Sequence, residues 1–82
     1  MPVLYSRQAK KYLLSQEDKM QARLKAGIAG LLETPPKGDI VKLSGTEDQY
    51  RLRVGGYRVL YHFEDVLLKI DLILPRGDAY KS

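Results

Sequence analysis

Two adjacent glycines, Gly55 and Gly56, sit between two runs of alternating character, and this arrangement constrains the chain more than anything else in it. Before them Tyr50, Leu52 and Val54 alternate with Arg51 and Arg53; after them Tyr57, Val59, Tyr61 and Phe63 alternate with Arg58, Leu60 and His62. A period of two marks a strand, and a two-residue glycine turn joins two strands into an antiparallel hairpin. A turn centred on Gly55 and Gly56 pairs residues whose numbers sum to 111, so Val54 faces Tyr57 and Arg53 faces Arg58. Tyr50, Leu52, Val54, Tyr57, Val59 and Tyr61 then share one face, which must be buried, while Arg51, Arg53, Arg58 and His62 share the other.

The rest of the chain supplies what buries that apolar face. Val3 to Tyr5 is a short β-prone segment, and Ser6 stands where a helix N-cap belongs. A helix is expected over Arg7 to Leu14, with Ala9, Tyr12 and Leu13 on one side and Arg7, Lys10 and Lys11 on the other. Ser15-Gln16 makes a corner. A second helix follows, with Glu17 and Asp18 in its first turn and Met20, Leu24, Ile28 and Leu31 or Leu32 repeating every three to four residues. It must stop before Thr34-Pro35-Pro36-Lys37-Gly38, because two prolines cannot continue a helix. Beyond that loop Ile40 to Leu43 is weakly extended, Glu64-Asp65 reads as a turn, and Val66 to Leu74 forms a last strand that Pro75 ends. The prediction is α+β: two N-terminal antiparallel helices packed on one face of a small curved antiparallel sheet. Neither half buries its own apolar surface, so residues 1–82 are read as one domain.

Size and composition narrow the function classes. A chain of 82 residues hides too little of its surface to enclose a large cofactor, so a site should be superficial. With no cysteine and one histidine, thiolate catalysis and the usual zinc sites are poor readings, and neither a cofactor nor a metal is expected. The first residues lack the pattern of a secretory signal, and no apolar run reaches the ~20 residues needed to span a bilayer. A cytoplasmic protein without a membrane partner is the expectation. The net charge of +4 leans toward an anionic partner, but position has to decide.

Position decides through the arginines. Setting two guanidinium groups directly across a strand pair costs from a few tenths to ~1 kcal/mol, which an anion on the same face would repay. Forked donors suit phosphate oxygens. The competing structural reading is that Arg stems cover apolar sheet surface while their heads stay wet. A turn at Glu64-Asp65 would also pair residues summing to 129 and set Asp71 opposite Arg58 as a neutralising partner. His62 is read as a rim or partly buried residue rather than a general base, since nothing nearby in sequence marks an orienting carboxylate.

Three runs together resemble a known family: Lys42-Leu43-Ser44-Gly45, Tyr50-Arg51-Leu52-Arg53-Val54-Gly55-Gly56-Tyr57-Arg58-Val59-Leu60-Tyr61, and Arg76-Gly77-Asp78-Ala79-Tyr80-Lys81. With the helical hairpin before them, they resemble the RelE/ParE superfamily of type II toxin–antitoxin toxins, with the RelE-like branch favoured. RelE-like members cleave messenger RNA in the ribosomal A site, and ParE-like members poison DNA gyrase. The resemblance to the nuclease branch implies a catalytic set of Arg51, Arg53, Arg58, Arg76 and Tyr80, with Lys42, His62 and Lys81 as substrate-binding residues. The implied reaction is metal-independent: a ribose 2′-hydroxyl attacks the adjacent phosphate and the 5′ oxygen leaves. Arg58 and Arg76 match charge-stabilising positions, Arg51 a position assigned to proton abstraction, Arg53 one assigned to leaving-group protonation, and Tyr80 a base-orienting tyrosine. The best-known pattern has lysines at the two first-strand positions. Arginine exchanges protons poorly near neutrality, which shifts Arg51 and Arg53 toward gripping phosphates. The implied partners are a cognate antitoxin, the ribosome with its A-site mRNA, and operator DNA only through the toxin–antitoxin complex. Two alternatives stay open: a ParE-like gyrase inhibitor acting by binding, and a weakly active homologue acting mainly through antitoxin binding and co-repression of its operon.

Overall fold

The computed structural model describes residues 1–75; Arg76, Tyr80 and Lys81 lie outside the described residues. The elements run β1 (Val3–Tyr5), α1 (Arg7–Leu14), α2 (Asp18–Gly30), β2 (Asp39–Lys42), β3 (Tyr50–Val54), β4 (Tyr57–Glu64) and β5 (Leu67–Pro75). They form an α+β fold, with two helices on a five-stranded sheet of order β1-β5-β4-β3-β2. The sheet is mixed rather than wholly antiparallel. After β1 the chain crosses through both helices before it returns, and β1 pairs with β5 in parallel, Val3 with Leu68 and Tyr5 with Ile70.

The helices cover the face that the alternation assigned to the interior. Leu24, Ile28 and Leu31 from the α2 region and Ala9 and Leu13 from α1 meet Leu52, Val59, Tyr61, Leu68, Ile70 and Ile73 of the sheet in one cluster. The close approach of α2 depends on Gly27, since a Cβ there would lie 2.7 Å from Val54 Cγ2. Tyr61, 1% exposed, stacks on Tyr50 with ring centroids 5.5 Å apart, and burial pushes its phenol up to about 12.

The first hairpin keeps the expected register, with Val54 opposite Tyr57 and Arg53 opposite Arg58. Gly55 takes φ +58°, a left-handed conformation that glycine adopts without steric cost. The second hairpin differs from expectation. Its turn is Asp65-Val66, because Glu64 still pairs with Leu67, and Asp65 holds φ 56°, which a short polar side chain tolerates. A bulge then separates the Leu60–Leu72 pair from the Tyr61–Ile70 pair, leaving Asp71 unopposed. Arg58 therefore faces Leu74, and Asp71 does not stand opposite it as the symmetric turn would have placed it.

Candidate functional site

Among the described residues no helix covers the sheet's second face, and the hairpin delivers its basic residues there. Arg53 and Arg58 are direct cross-strand partners. Arg51 pairs with Leu60, which makes it the diagonal neighbour of both Arg58 and His62. Diagonal positions lie about 7–8 Å apart, so Arg53, Arg58, Arg51 and His62 form a continuous track in which each residue neighbours the next. The glycine end of the track is anchored from below. Tyr57 Oη donates to Gln16 Oε1 at 3.0 Å, tying the hairpin to the corner between the helices, and Tyr12 packs edge-on against the Tyr57 ring. Arg23 of α2 lays its guanidinium against Gly55, about where a Cβ would meet it at 3.0 Å.

Burial differs sharply along the track. Arg58 is 5% exposed, and it is the one buried charged residue among those described. The Arg51 side chain is 15% exposed and donates through Nη2 to Asp39 Oδ1 at 3.2 Å, while Arg53 is half exposed and reaches the other Asp39 oxygen at 4.0 Å. A single half-exposed carboxylate thus serves two guanidiniums from the neighbouring strand. The Arg51 Nε is buried and, among the described residues, has no hydrogen-bond partner. Asp39 escaped sequence reasoning because its role depends on β2 pairing with β3, Asp39 opposite Arg53, across a long loop.

At the far end of the track stands His62. Its Nδ1 lies 2.7 Å from Asp71 Oδ2, the carboxylate that the bulge turns out of the ladder, and its Nε2 lies 3.5 Å from Glu64 Oε1. The orienting carboxylate missing from the local sequence is therefore supplied by β5. The hydrogen bond to Asp71 is the main reason the imidazole is held above its ordinary range, against a smaller opposing effect of burial. Glu64 also pairs with Lys69 at 3.1 Å, which lowers its carboxyl below the usual range with help from His62. A cleft of about 370 Å³, lined by Leu4, Tyr5, Ser6, His62, Lys69, Ile70 and Asp71, opens beside the imidazole.

Of the sequence-derived candidates, Arg51, Arg53, Arg58 and His62 are brought together on one face. Lys42 is not: it pairs with Tyr50 and so projects toward the other side of the sheet, exposed on an edge strand. Arg76, Tyr80 and Lys81 lie outside the described residues. Among the described residues no group of three or more His, Asp or Glu side chains converges as a metal site, and no helix is long and apolar enough to cross a membrane.

Comparison with known proteins bears on this architecture. Residues 3–80 match the family described as the ParE toxin of the type II toxin–antitoxin system parDE. Among solved structures, the chain is similar to RelE in the archaeal RelE–RelB complex of Pyrococcus horikoshii OT3, at 36% identity and TM-score 0.73, covering 94% of this chain and 96% of that one. It is also similar to RelE in the RelB–RelE complex of Methanococcus jannaschii, at 25% identity and TM-score 0.76, covering 94% of each chain. The isolated Escherichia coli RelE toxin shares the fold at 24% identity and TM-score 0.77, covering 96% of this chain and 89% of that one. No curated protein matches significantly by sequence. The match over nearly the whole length, together with the RelE-like fold, shows that this chain belongs to the ParE toxin family, within the RelE/ParE superfamily of type II toxin–antitoxin toxins.

Proposed function

We propose that this toxin is a ribosome-dependent endoribonuclease that inhibits translation by cleaving messenger RNA in the A site. The observation that carries the reading is the track itself. Arg53 opposes Arg58, with Arg51 diagonal to it, on the face the helices leave open. One carboxylate for two of these guanidiniums leaves a positive surplus at the Arg51–Arg53 end of the face, and a phosphodiester offers the oxygens that forked donors bind best.

In this reading the 2′-hydroxyl attacks the adjacent phosphorus while the bond to the 5′ oxygen breaks. Arg58, with Arg76, stabilises the negative charge that builds on the non-bridging oxygens. Its burial strengthens that effect, because electrostatic interactions gain in a low-dielectric setting. Arg51 and Arg53 grip the flanking phosphates. Tyr80 orients the base, Lys81 adds a phosphate contact, and the ribosome presents the strand in a reactive geometry. Lys42, on the other side of the sheet, is left out of this phosphate track.

A cognate antitoxin is the proposed protein partner. The archaeal relatives were solved in complex with RelB, and the exposed Leu4, Val41 and Leu72 give such a chain apolar surface to cover beside the arginines. Operator DNA is proposed to bind the toxin–antitoxin complex rather than this chain alone.

The family match to ParE favours one alternative, a gyrase inhibitor that docks through the same basic face without cutting anything. Arginine and tyrosine also dominate binding hot spots. The two readings separate when purified protein is added to translating ribosomes and to gyrase with plasmid. The nuclease reading expects cuts between A-site bases, with Arg58→Ala slowing cleavage ~10²-fold or more. Intact mRNA together with impaired supercoiling would replace it with the gyrase reading.

A further inference from the structure

The track contains arginines that hold charge but exchange protons poorly, and the reaction has to protonate a departing 5′ oxygen. The chain has no cysteine and a single histidine, so His62 is its one side chain whose ordinary titration range spans neutrality. We propose that His62, oriented by Asp71, is the general acid of the cleavage reaction, delivering a proton from Nε2 to the leaving 5′ oxygen. This assignment rests on the nuclease reading above and adds to it the group that the arginines cannot supply.

Geometry supports it in three ways. The Nδ1–Asp71 contact of 2.7 Å fixes the ring's orientation and leaves Nε2 as the exchangeable nitrogen. Asp71 is available only because the bulge frees it from the ladder; its own carbonyl is held by the Ser6 hydroxyl at 2.7 Å. His62 is also the diagonal neighbour of Arg51, so a strand whose phosphates lie on the arginines extends past the imidazole. Glu64 approaches Nε2 at only 3.5 Å and is itself engaged by Lys69, a contact that incoming RNA can displace.

The proton balance is closed. The O2′–P bond forms as P–O5′ breaks, the 2′-hydroxyl proton passes to water, and the Nε2 proton passes to O5′, giving a 2′,3′-cyclic phosphate and a 5′-hydroxyl. The imidazole then recovers its proton from solvent. The charged groups facing it are Asp71 and Lys69 from β5, Glu64 from β4, the diagonal Arg51 from β3 and, at longer range, Asp48 from the loop before β3. The three carboxylates all favour the protonated ring, the form an acid requires at neutral pH.

The test is single-turnover cleavage on programmed ribosomes by the wild type, His62→Gln and Asp71→Asn, with ribosome co-sedimentation to show that the variants still bind. His62→Gln should cleave at least ~10²-fold more slowly. It should recover to within a few-fold of wild type on mRNA carrying sulfur in place of the scissile 5′ oxygen, because a thiolate leaves without a proton. Asp71→Asn, which keeps the side chain's shape, should move the alkaline limb of the pH–rate profile to lower pH. A wild type that cleaves while His62→Gln matches it overturns the acid assignment alone, and so does a defect that the sulfur substrate fails to rescue. A wild type that leaves mRNA intact overturns the nuclease reading and this proposal with it.

Discussion

His62 has a neighbourhood that its flanking sequence does not reveal. Its hydrogen bond to Asp71 raises the imidazole's affinity for a proton in the folded state, so folding is favoured most where the ring is charged in both states. That contribution is complete below the unfolded value near 6.5 and fades as pH rises through the higher folded value. The stability gap between wild type and Asp71→Asn should accordingly be wide near pH 6 and narrow toward pH 9, as read by urea midpoints across that range; a gap that widens with pH would contradict the assigned contact. Arg51 and Arg53 show the opposite case. Their face and opposition to β4 were legible from alternation alone, whereas Asp39, which links them, was not.

Ser6 joins two elements through one hydroxyl. It accepts from the Ala9 amide at 3.0 Å as the N-cap of α1, and donates to the Asp71 carbonyl at 2.7 Å in the β5 bulge. Next to it, Gln8 donates to the Ile73 carbonyl and accepts from the Ile73 amide, at 3.0 and 3.1 Å, so its amide stands in for a strand where β1 has ended. Ser6→Ala removes both bonds and should cost about 1–3 kcal/mol, measurable by chemical denaturation. The cap was foreseeable from a serine before an amphipathic run; the bulge clamp was not, since it joins residues 65 apart. The two hairpins make the same contrast. Gly55-Gly56 announces its turn, but Glu64-Asp65-Val66 has two possible centres. The structure chose the one that lets Asp65 take the left-handed position while Glu64 stays in the ladder.

The helical and strand halves share one buried cluster, and α2 fills its middle through Leu24, which is fully buried. Leu24→Ala should cost about 2–5 kcal/mol, a large share of what a domain this small possesses. Circular dichroism of the helices and tyrosine fluorescence, to which the strand residues Tyr5, Tyr50, Tyr57 and Tyr61 contribute most, should lose their signals at the same denaturant concentration, in the wild type and the variant alike. Separate midpoints would show that the halves fold independently and would refute the one-domain reading.

Local pattern was enough for the helices, the first hairpin, the buried face and the convergence of Arg51, Arg53 and Arg58, because periodicity and a two-residue glycine turn act over a few residues. Long-range pairing decided the rest. The parallel docking of β1, the bulge that frees Asp71, the carboxylate that Asp39 lends from β2 and the position of Lys42 on the opposite side all depend on which strands become neighbours and where a ladder slips. Those choices minimise the energy of the assembled sheet and core, and no short segment carries enough of that energy to reveal them.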